Sequence, residues 1–252
     1  MKYTGERIIP EDSFCGPKTN IYKEHFSRYN FAAQYVKNKK ILDIACGVGY
    51  GCKILVDGGA SFVIGGDISD ESINYANNHY KSEKNEFIKQ NLEKLDFEDK
   101  AFDCVISFET LEHIKEQKKV ISELSRIIKP GGILIISTPN KDSRTSVEDN
   151  ANIFHEKELT IKEFEDILKE HFPKIELFSQ RLIKNMGIGK IIIRNIILKA
   201  IKLDSKKIYS KIFPNSIYGS VYNTIDDTDG NYIPIPYSLK HKPKIAIAVC
   251  YK

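Results

Sequence analysis

The sequence predicts an α/β fold with a parallel sheet covered by helices on both faces. Short apolar, β-branched segments alternate with amphipathic helical patterns through the first 180 residues, and such alternation requires crossover connections between parallel strands. A glycine-rich loop at 47–51 follows the first of these segments. Pro130, Gly131 and Gly132 end a later helical pattern and turn the chain into the next strand.

The individual elements follow from the length and period of each pattern. Buried strands are expected where apolar residues run continuously, at 40–45, 61–67, 85–90, 102–108 and 132–138. Helices are expected where apolar residues recur at helical spacing, at 21–36, 50–57, 70–82, 115–129 and 160–172. A sixth strand at 174–180 and a seventh at 244–251 complete the count.

Composition and cysteine usage narrow the class of protein. The chain has 252 residues, 41% hydrophobic and 29% charged, as in ordinary globular proteins. Its five cysteines are odd in number and form no Cys-x-x-Cys pair, so neither a disulfide framework nor a zinc site is expected. No signal-like or membrane-spanning apolar run is present, and we expect a soluble, cytoplasmic protein.

The predicted organisation is one domain with an insertion. The domain is expected to consist of a cap segment at 1–38, a core at 39–181, a lid insertion at 182–243 and a final strand at 244–252. From residue 181 onward there are 13 Lys/Arg against 4 Asp/Glu. The apolar and basic stretch 186–213 has four open interpretations: a solvated helix face, attraction to a phosphate-bearing substrate, contact with a membrane surface, or burial in a homodimer.

The glycine loop suggests a nucleotide-like ligand that carries positive charge. A strand that ends in closely spaced glycines and leads into a helix allows a ligand to approach the backbone. Gly47, Gly49 and Gly51 give Gly-x-Gly-x-Gly, whereas dinucleotide folds have Gly-x-Gly-x-x-Gly. Asp43 would be unfavourable beside a pyrophosphate. S-adenosylmethionine, with its ammonium and sulfonium groups, fits this carboxylate better.

Residues after the next two strands extend the site. Asp67 ends the second predicted strand, where its carboxylate could accept hydrogen bonds from both ribose hydroxyls, a contact that NAD shares. Asn91 follows the third strand and could accept from an adenine amino group, with the Leu92 N–H near a ring nitrogen. The alternative for each residue alone is a capping or turn role.

Four motifs resemble the class I S-adenosylmethionine-dependent methyltransferases over residues 20–180. They are "ILDIACGVGYG", "GGDIS", "FDCVISFETLEHI" and "IKPGGILIISTPN". The resemblance implies a Rossmann-like, seven-stranded sheet of order 3-2-1-4-5-7-6 with the last strand antiparallel. It also implies S-adenosylmethionine as the cofactor and S-adenosylhomocysteine as the product.

The resemblance assigns roles to residues at the strand ends. Asp43 would lie near the methionine end of the cofactor and Asp67 at the ribose. Asn91 replaces the commoner aspartate, while Phe108 and Glu109 would border the methionine and acceptor pocket. The cofactor-binding candidates together are Arg28, Asp43, Ala45, Gly47, Gly49, Tyr50, Asp67, Ile68, Asn91, Leu92, Phe108 and Glu109.

Several acceptor classes lack their motifs. No Asn/Asp-Pro-Pro-Tyr follows the fourth strand, as DNA amino methylation would require, and no cysteine follows proline, as cytosine ring methylation would require. Glu109 and Glu112 are present but paired aspartates are not, so no metal site is predicted. We expect no DNA partner.

A narrower resemblance concerns the acceptor. "TGERIIPE", "EHFSRYNFAA", "STPNK" and "NIFHEKELTIKEFEDIL" are similar to small methyltransferases of bacterial capsule and lipopolysaccharide pathways. This resemblance implies O-methylation of a sugar or another small anionic precursor of these glycans. The precursor would carry a phosphate or be attached to a nucleotide. RNA methylation, another small-molecule acceptor, and a non-catalytic S-adenosylmethionine-binding scaffold stay open as alternatives. The substrate-binding candidates are Arg7, Tyr22, Asn140 and Tyr232.

His155 is the candidate catalytic base. It precedes the helix predicted from Thr160, on a loop expected at the carboxyl edge of the sheet, where a neutral imidazole could take a proton from an attacking hydroxyl. An equally weighted alternative is that His155 anchors this loop by hydrogen bonding. His113 is interpreted as structural or adjacent to the cofactor.

Overall fold

The computed structural model describes residues 8–10, 19–143, 154–180, 232–237 and 243–252. The helices are α1 Asn20–Ala32, α2 Tyr50–Asp57, α3 Asp70–His79, α4 Gln117–Ile127 and α5 Ile161–Lys169. The strands are β1 Lys40–Ile44, β2 Phe62–Asp67, β3 Asn85–Lys89, β4 Phe102–Phe108, β5 Ile128–Pro139, β6 Lys174–Gln180, β7 Ile235–Pro236 and β8 Ile245–Tyr251.

All eight strands belong to one sheet, in the order β3-β2-β1-β4-β5-β8-β6-β7. Strands β1 to β5 pair in parallel, and β8 runs antiparallel to both β5 and β6. The predicted fold class, strand order and antiparallel last strand are therefore confirmed. The prediction missed β7, a two-residue strand at the edge of β6 that falls within the region predicted as the insertion.

The chain divides into two compact units. One consists of Met1–Gln180 with Ile233–Lys252, and the other of Arg181–Tyr232. The second unit lies outside the described residues except for Tyr232, so the interpretations of 186–213 remain predictions, as does the single-domain organisation. In the described ranges, no helix has both the length and the apolar character needed to cross a bilayer.

Strand β5 begins earlier than the sequence predicts. It starts at Ile128, and the expected Lys-Pro-Gly-Gly turn instead forms an irregular, extended stretch. Phe102 pairs with Ile128 and Cys104 with Ile133, which marks a bulge in β5. Gly131 supplies the left-handed backbone that this irregularity needs, with φ of 78°.

Two apolar clusters cover the two faces of the sheet. Successive residues of β5 alternate between them, with Ile133 and Ile135 in one cluster and Leu134 and Ile136 in the other. Helices α1, α2 and α3 contribute to the first cluster, and α4 and α5 to the second. This arrangement buries β5 on both sides and leaves the carboxyl ends of the parallel strands to form a site.

Candidate functional site

A cavity of about 560 Å³ lies at the carboxyl ends of the parallel strands. Residues that follow β1, β2, β3 and β4 all line it, among them Ala45, Asp67, Asn91 and Glu109. Its volume is in the range of small-molecule and cofactor sites. We call the part formed after β1, β2 and β3 the glycine-loop side, and the part formed by Glu109, Glu112, His113 and His155 the histidine side.

Gly47 is the glycine that leaves space for a ligand. It lines the cavity, its φ is 56°, and a Cβ at this position would meet nothing within 4 Å. Ala45, which also lines the cavity, has a φ of 62°, an unusual conformation for a residue with a side chain. Such strain clusters at ligand sites. The open space beside Gly47 fits the approach of a cofactor to the loop backbone.

The other two loop glycines serve packing, which corrects the expectation that all three make room for a ligand. A Cβ on Gly49 would lie 2.7 Å from atoms of Ala76 and Phe87, and φ there is 88°. A Cβ on Gly51 would lie 2.1 Å from the ring of Tyr29. Gly49 does not line the cavity. Both positions therefore permit close contact between neighbouring elements.

Asp67 lies at the end of β2 with its carboxylate held by backbone donors. Its Oδ2 accepts from the Gly47 N–H at 2.9 Å and its Oδ1 from the Ser69 N–H at 2.9 Å. A carboxylate has about four acceptor positions, so further donors such as two ribose hydroxyls can be accepted. Asp67 lines the cavity and is only 8% exposed. The geometry suits its predicted role.

Asp43 lies beneath the loop and does not line the cavity. Tyr29 donates its hydroxyl to the carboxylate, at 3.1 Å to Oδ2, and the Cys52 thiol lies 3.3 Å from the same oxygen. Burial raises the pKa of Asp43 from 3.8 to about 7, and nearby Asp67 acts in the same direction. A positive charge bound near the loop would favour the ionised carboxylate.

The expected adenine contacts lie at one end of the glycine-loop side. Ile68, Asn91 and Leu92 line the cavity. The Asn91 Oδ1 accepts from the Glu93 N–H at 2.9 Å, so the turn role considered for this residue is present. Ile68 is 64% exposed. Among the described residues, all three large apolar side chains that are exposed, Ile21, Ile68 and Phe154, line this cavity, as expected if a ligand covers them.

Glu109 begins the histidine side with a strained backbone. Its φ is 50°, and its N–H and one carboxylate oxygen both contact Ser137, the latter at 2.7 Å. Phe108, which precedes it, lines the cavity and packs edge-on against Tyr29 at a centroid distance of 5.1 Å. The two residues lie where the sequence placed them, at the end of β4.

Glu112 is a buried acid whose backbone also binds the segment that follows His155. It is 1% exposed, and its Oε2 accepts from the Thr138 hydroxyl at 3.2 Å. Its backbone carbonyl accepts from the N–H groups of Glu156 and Lys157. Burial and the neighbouring Glu109 carboxylate raise the pKa of Glu112 well above its usual range.

Two histidines complete the histidine side. His113 Nδ1 lies 2.9 Å from the Phe154 carbonyl oxygen, and His155 Nδ1 lies 2.5 Å from the Glu158 carboxylate. The rings meet edge-on at a centroid distance of 4.9 Å. Both interpretations of His155 are compatible with this geometry, since it lines the cavity and also anchors its loop.

Besides Asp43, four predicted site residues of the first unit do not line the cavity. Arg28 is fully buried; its Nη1 donates to the Gln180 side chain at 2.6 Å, while its Nε and Nη2 have no hydrogen-bond partner among the described residues. Asn140 is buried and donates to the Pro243 carbonyl. Tyr22 stacks on Tyr50, and neither Tyr22, Arg28, Asn140 nor Gly49 lines the cavity.

The remaining candidates divide between the two units. Tyr50 lines the cavity beside Gly47. Arg7 lies outside the described residues, and Tyr232 belongs to the second unit. Their roles as substrate-binding residues remain predictions.

The sequence analysis did not identify Glu112 as a site residue. It also did not predict that His113 and His155 lie next to each other. The only signal was the motif "FETLEHI" at the end of β4, which places two acids and a histidine directly after a strand. Nothing in the sequence shows that His155, more than 40 positions later, returns to this motif. His25 also lines the cavity, and burial lowers the pKa of its imidazole well below the ordinary value.

Comparison with known proteins finds similarity in the region that forms most of the cavity. Residues 42–136 match the methyltransferase domain family. A probable S-adenosylmethionine-dependent methyltransferase of Mycolicibacterium smegmatis is 30% identical over 170 residues, which cover 67% of this chain and 64% of that protein. Residues 42–136 are thus similar to methyltransferase domains, and the mycobacterial relative is described as dependent on S-adenosylmethionine. The predicted cofactor, S-adenosylmethionine, is confirmed at the level of these similar proteins.

Two further likenesses are more distant. The mitochondrial ubiquinone biosynthesis O-methyltransferase of Dictyostelium discoideum is 34% identical over 137 residues, or 49% of this chain and 42% of that protein. A Thermotoga maritima crystal structure of a methyltransferase, described as a possible histamine N-methyltransferase, has a TM-score of 0.60 at 13% identity, covering 92% of this chain and 90% of that one. The last likeness concerns the fold. The chain spans less than two thirds of the length of the curated relatives.

Proposed function

We propose that this protein is an S-adenosylmethionine-dependent O-methyltransferase that acts on a small, phosphate- or nucleotide-bearing precursor of a bacterial capsule or other surface glycan. The observation that carries the proposal is the Asp67 carboxylate, anchored by the Gly47 N–H beside an open glycine, in a cavity that continues to the histidine side. The methyltransferase domain match over 42–136 agrees with it.

The residues present fit the cofactor. Asp67 would hold the ribose hydroxyls, Ile68 and Leu92 would contact the adenine, and the Gly47 backbone would border the methionine portion. Bound there, S-adenosylmethionine supplies an electrophilic methyl group. The buried Asp43 carboxylate beneath the loop would favour the cofactor's positive charge.

Transfer to oxygen is supported by the groups on the histidine side. With Nδ1 donating to the Glu158 carboxylate, His155 keeps its lone pair on Nε2, the atom that would take the proton of an acceptor hydroxyl. The Dictyostelium relative is named as an O-methyltransferase. The glycan precursor rests on the narrower sequence resemblance and on the basic character of the chain beyond residue 180.

Calorimetric titration of Asp67→Ala with S-adenosylmethionine tests the cofactor site. We expect at least about a tenfold loss of affinity, because hydrogen bonds to a charged group would be removed. Asp57→Ala, which removes an exposed acid at the end of α2, is the matched control and should bind as the wild type does. Unchanged affinity in Asp67→Ala would refute the assignment.

The acceptor is tested by incubating the full chain with S-adenosylmethionine and panels of nucleotide-linked sugars, phosphorylated sugars, small phenols and RNA. Mass spectrometry should detect the gain of one methyl group on a member of the first two panels. Methylation confined to phenols or RNA would replace the glycan proposal. Cofactor binding without any methylation across the panels would support a scaffold instead.

A further inference from the structure

We propose that Glu112, His113 and His155 form a binding site for a divalent first-row transition-metal ion at the acceptor end of the cavity. One potential ligand atom from each of these side chains lies within 4.8 Å of the others. All three residues line the cavity. This proposal rests on the proposed function for its role in the reaction, but not for the binding of the ion.

The hydrogen bonds of the two imidazoles orient them as metal ligands. His113 Nδ1 can donate to the Phe154 carbonyl, and His155 Nδ1 to the Glu158 carboxylate. Donation from Nδ1 puts the lone pair of each ring on Nε2. Metal-binding histidines commonly donate their other ring N–H to a carbonyl or a carboxylate, which fixes the ring orientation and increases its basicity. Both arrangements occur here, on adjacent rings.

The charge of the site also favours a cation. Glu112 is buried, and among the described residues neither Glu112 nor Glu109 forms an ion pair, although the buried Arg28 guanidinium acts on Glu112 without pairing with it directly. Burying an acid without a directly paired cation is unfavourable. A divalent ion would offset this cost, and Glu109, which also lines the cavity, could serve as a further oxygen ligand.

The ligand set indicates the class of ion. Two imidazole nitrogens and one carboxylate oxygen suit zinc, iron, cobalt or manganese, whereas magnesium prefers oxygen ligands and retains water. Three protein ligands leave at least one coordination position open to water or substrate, as in catalytic zinc sites. An acceptor hydroxyl bound there would have a lowered pKa. His155 Nε2 would then bind the ion instead of taking the proton, and the proton of the metal-bound hydroxyl would pass to water before the oxygen attacks the methyl group.

Metal binding is tested directly on the full, tag-free chain after dialysis against a chelator. Calorimetry with ZnCl₂ alone should show binding that is lost or weakened at least about tenfold in His113→Gln and His155→Gln. His79→Gln is the matched control, since His79 is exposed on α3 and does not line the cavity. MnCl₂ should bind more weakly than ZnCl₂, and MgCl₂ weakest of all.

Two further measurements separate ion binding from folding and from cofactor binding. The visible absorption bands of Co²⁺ bound to the wild type should indicate nitrogen ligands, so the test does not depend on a variant that folds. Titration with S-adenosylmethionine in the chelated protein reports the cofactor site by itself. Absence of zinc binding, or equal binding in His113→Gln, His155→Gln and wild type, overturns the metal proposal even if the cofactor binds. Zinc binding without cofactor binding overturns the proposed function instead.

Discussion

The glycine-loop side and the histidine side of the cavity are assembled in different ways. On the glycine-loop side, each group lies at or just after the end of its own strand. Asp67 is held by the Ser69 N–H two residues later and by the Gly47 N–H of the loop after the neighbouring strand. On the histidine side, residues from separate parts of the chain hold one another, as when the Glu112 carbonyl accepts from Glu156 and Lys157. The glycine-loop side follows from the order of the strands. The histidine side forms only because the segment that carries His155 lies beside Glu112 and His113 in the folded chain.

The two sides are alike in their backbone strain but differ in how they bury acidic groups. Both sides begin with a left-handed residue that is not glycine, Ala45 after β1 and Glu109 after β4. The buried acids of the glycine-loop side, Asp43 beneath the loop and Asp67 in the cavity, each accept from two hydrogen-bond donors. The histidine side places two acids and two imidazoles in one cluster. A charged ligand can therefore be balanced on either side, but by different groups.

Asp43 should produce the largest effect, through pH. Its folded-state pKa of about 7 is above the ordinary 3.8, so the folded chain binds a proton that the unfolded chain releases between these values. Protonation therefore stabilises the fold, and the free energy of unfolding should fall as pH rises from about 4 to about 7, by at most about 1.4 kcal/mol per unit. Asp43→Asn should remove this slope in urea titrations across that range.

The matched control for pH is Asp57→Asn, which replaces an exposed acid at the C-terminal end of α2. It should leave the slope as in the wild type. A slope that persists in Asp43→Asn would show that another group takes up the proton. Affinity for S-adenosylmethionine in the wild type should rise with pH over the same window, because the ionised Asp43 favours the positive ligand.

Gly51→Ala should give the next largest effect, on stability. The added Cβ would overlap the Tyr29 ring, and overpacking of this kind costs about 1–3 kcal/mol. Thermal or denaturant unfolding measures the loss. Gly47→Ala meets no neighbouring atom but places a side chain on a left-handed backbone, with φ of 56°, so it should also cost about 1–2 kcal/mol of stability. Calorimetry should then separate the two variants, because Gly47→Ala should weaken binding of S-adenosylmethionine more than Gly51→Ala does. The reverse ranking of the two affinities would exchange the roles given to the two glycines.

Thr160→Ala should have the smallest of these effects, on α5, the helix that follows the segment carrying His155. Thr160 caps α5, accepting from the Glu163 N–H at 3.2 Å while Glu163 accepts from the Thr160 N–H. Loss of the cap should lower the free energy of unfolding by about 1 kcal/mol. Thr160→Ser keeps the hydroxyl and should be nearly neutral in denaturant unfolding. Equal losses in both variants would assign the effect to packing of the methyl group.

Much of the fold could be predicted from the sequence because parallel strands in the interior are short, continuous apolar runs. The predicted strand 174–180 coincides with β6, and 102–108 with β4. The prediction was less accurate where tertiary contacts decide, as in β5, whose early start depends on the pairing of Ile128 with Phe102. The two-residue strand β7 has too little sequence to produce a pattern.

The sequence by itself determined the class of fold, the cofactor family and the position of Asp67, since each depends on the pattern along one strand and the loop after it. Only the tertiary structure decided which glycine faces the cavity, because Gly49 and Gly51 are needed by Ala76, Phe87 and Tyr29, which are distant in sequence. It likewise brought His155 back to Glu112 and His113. Contacts between segments that are distant in sequence produce no periodic pattern in either segment. Such contacts can therefore be identified only in the folded structure.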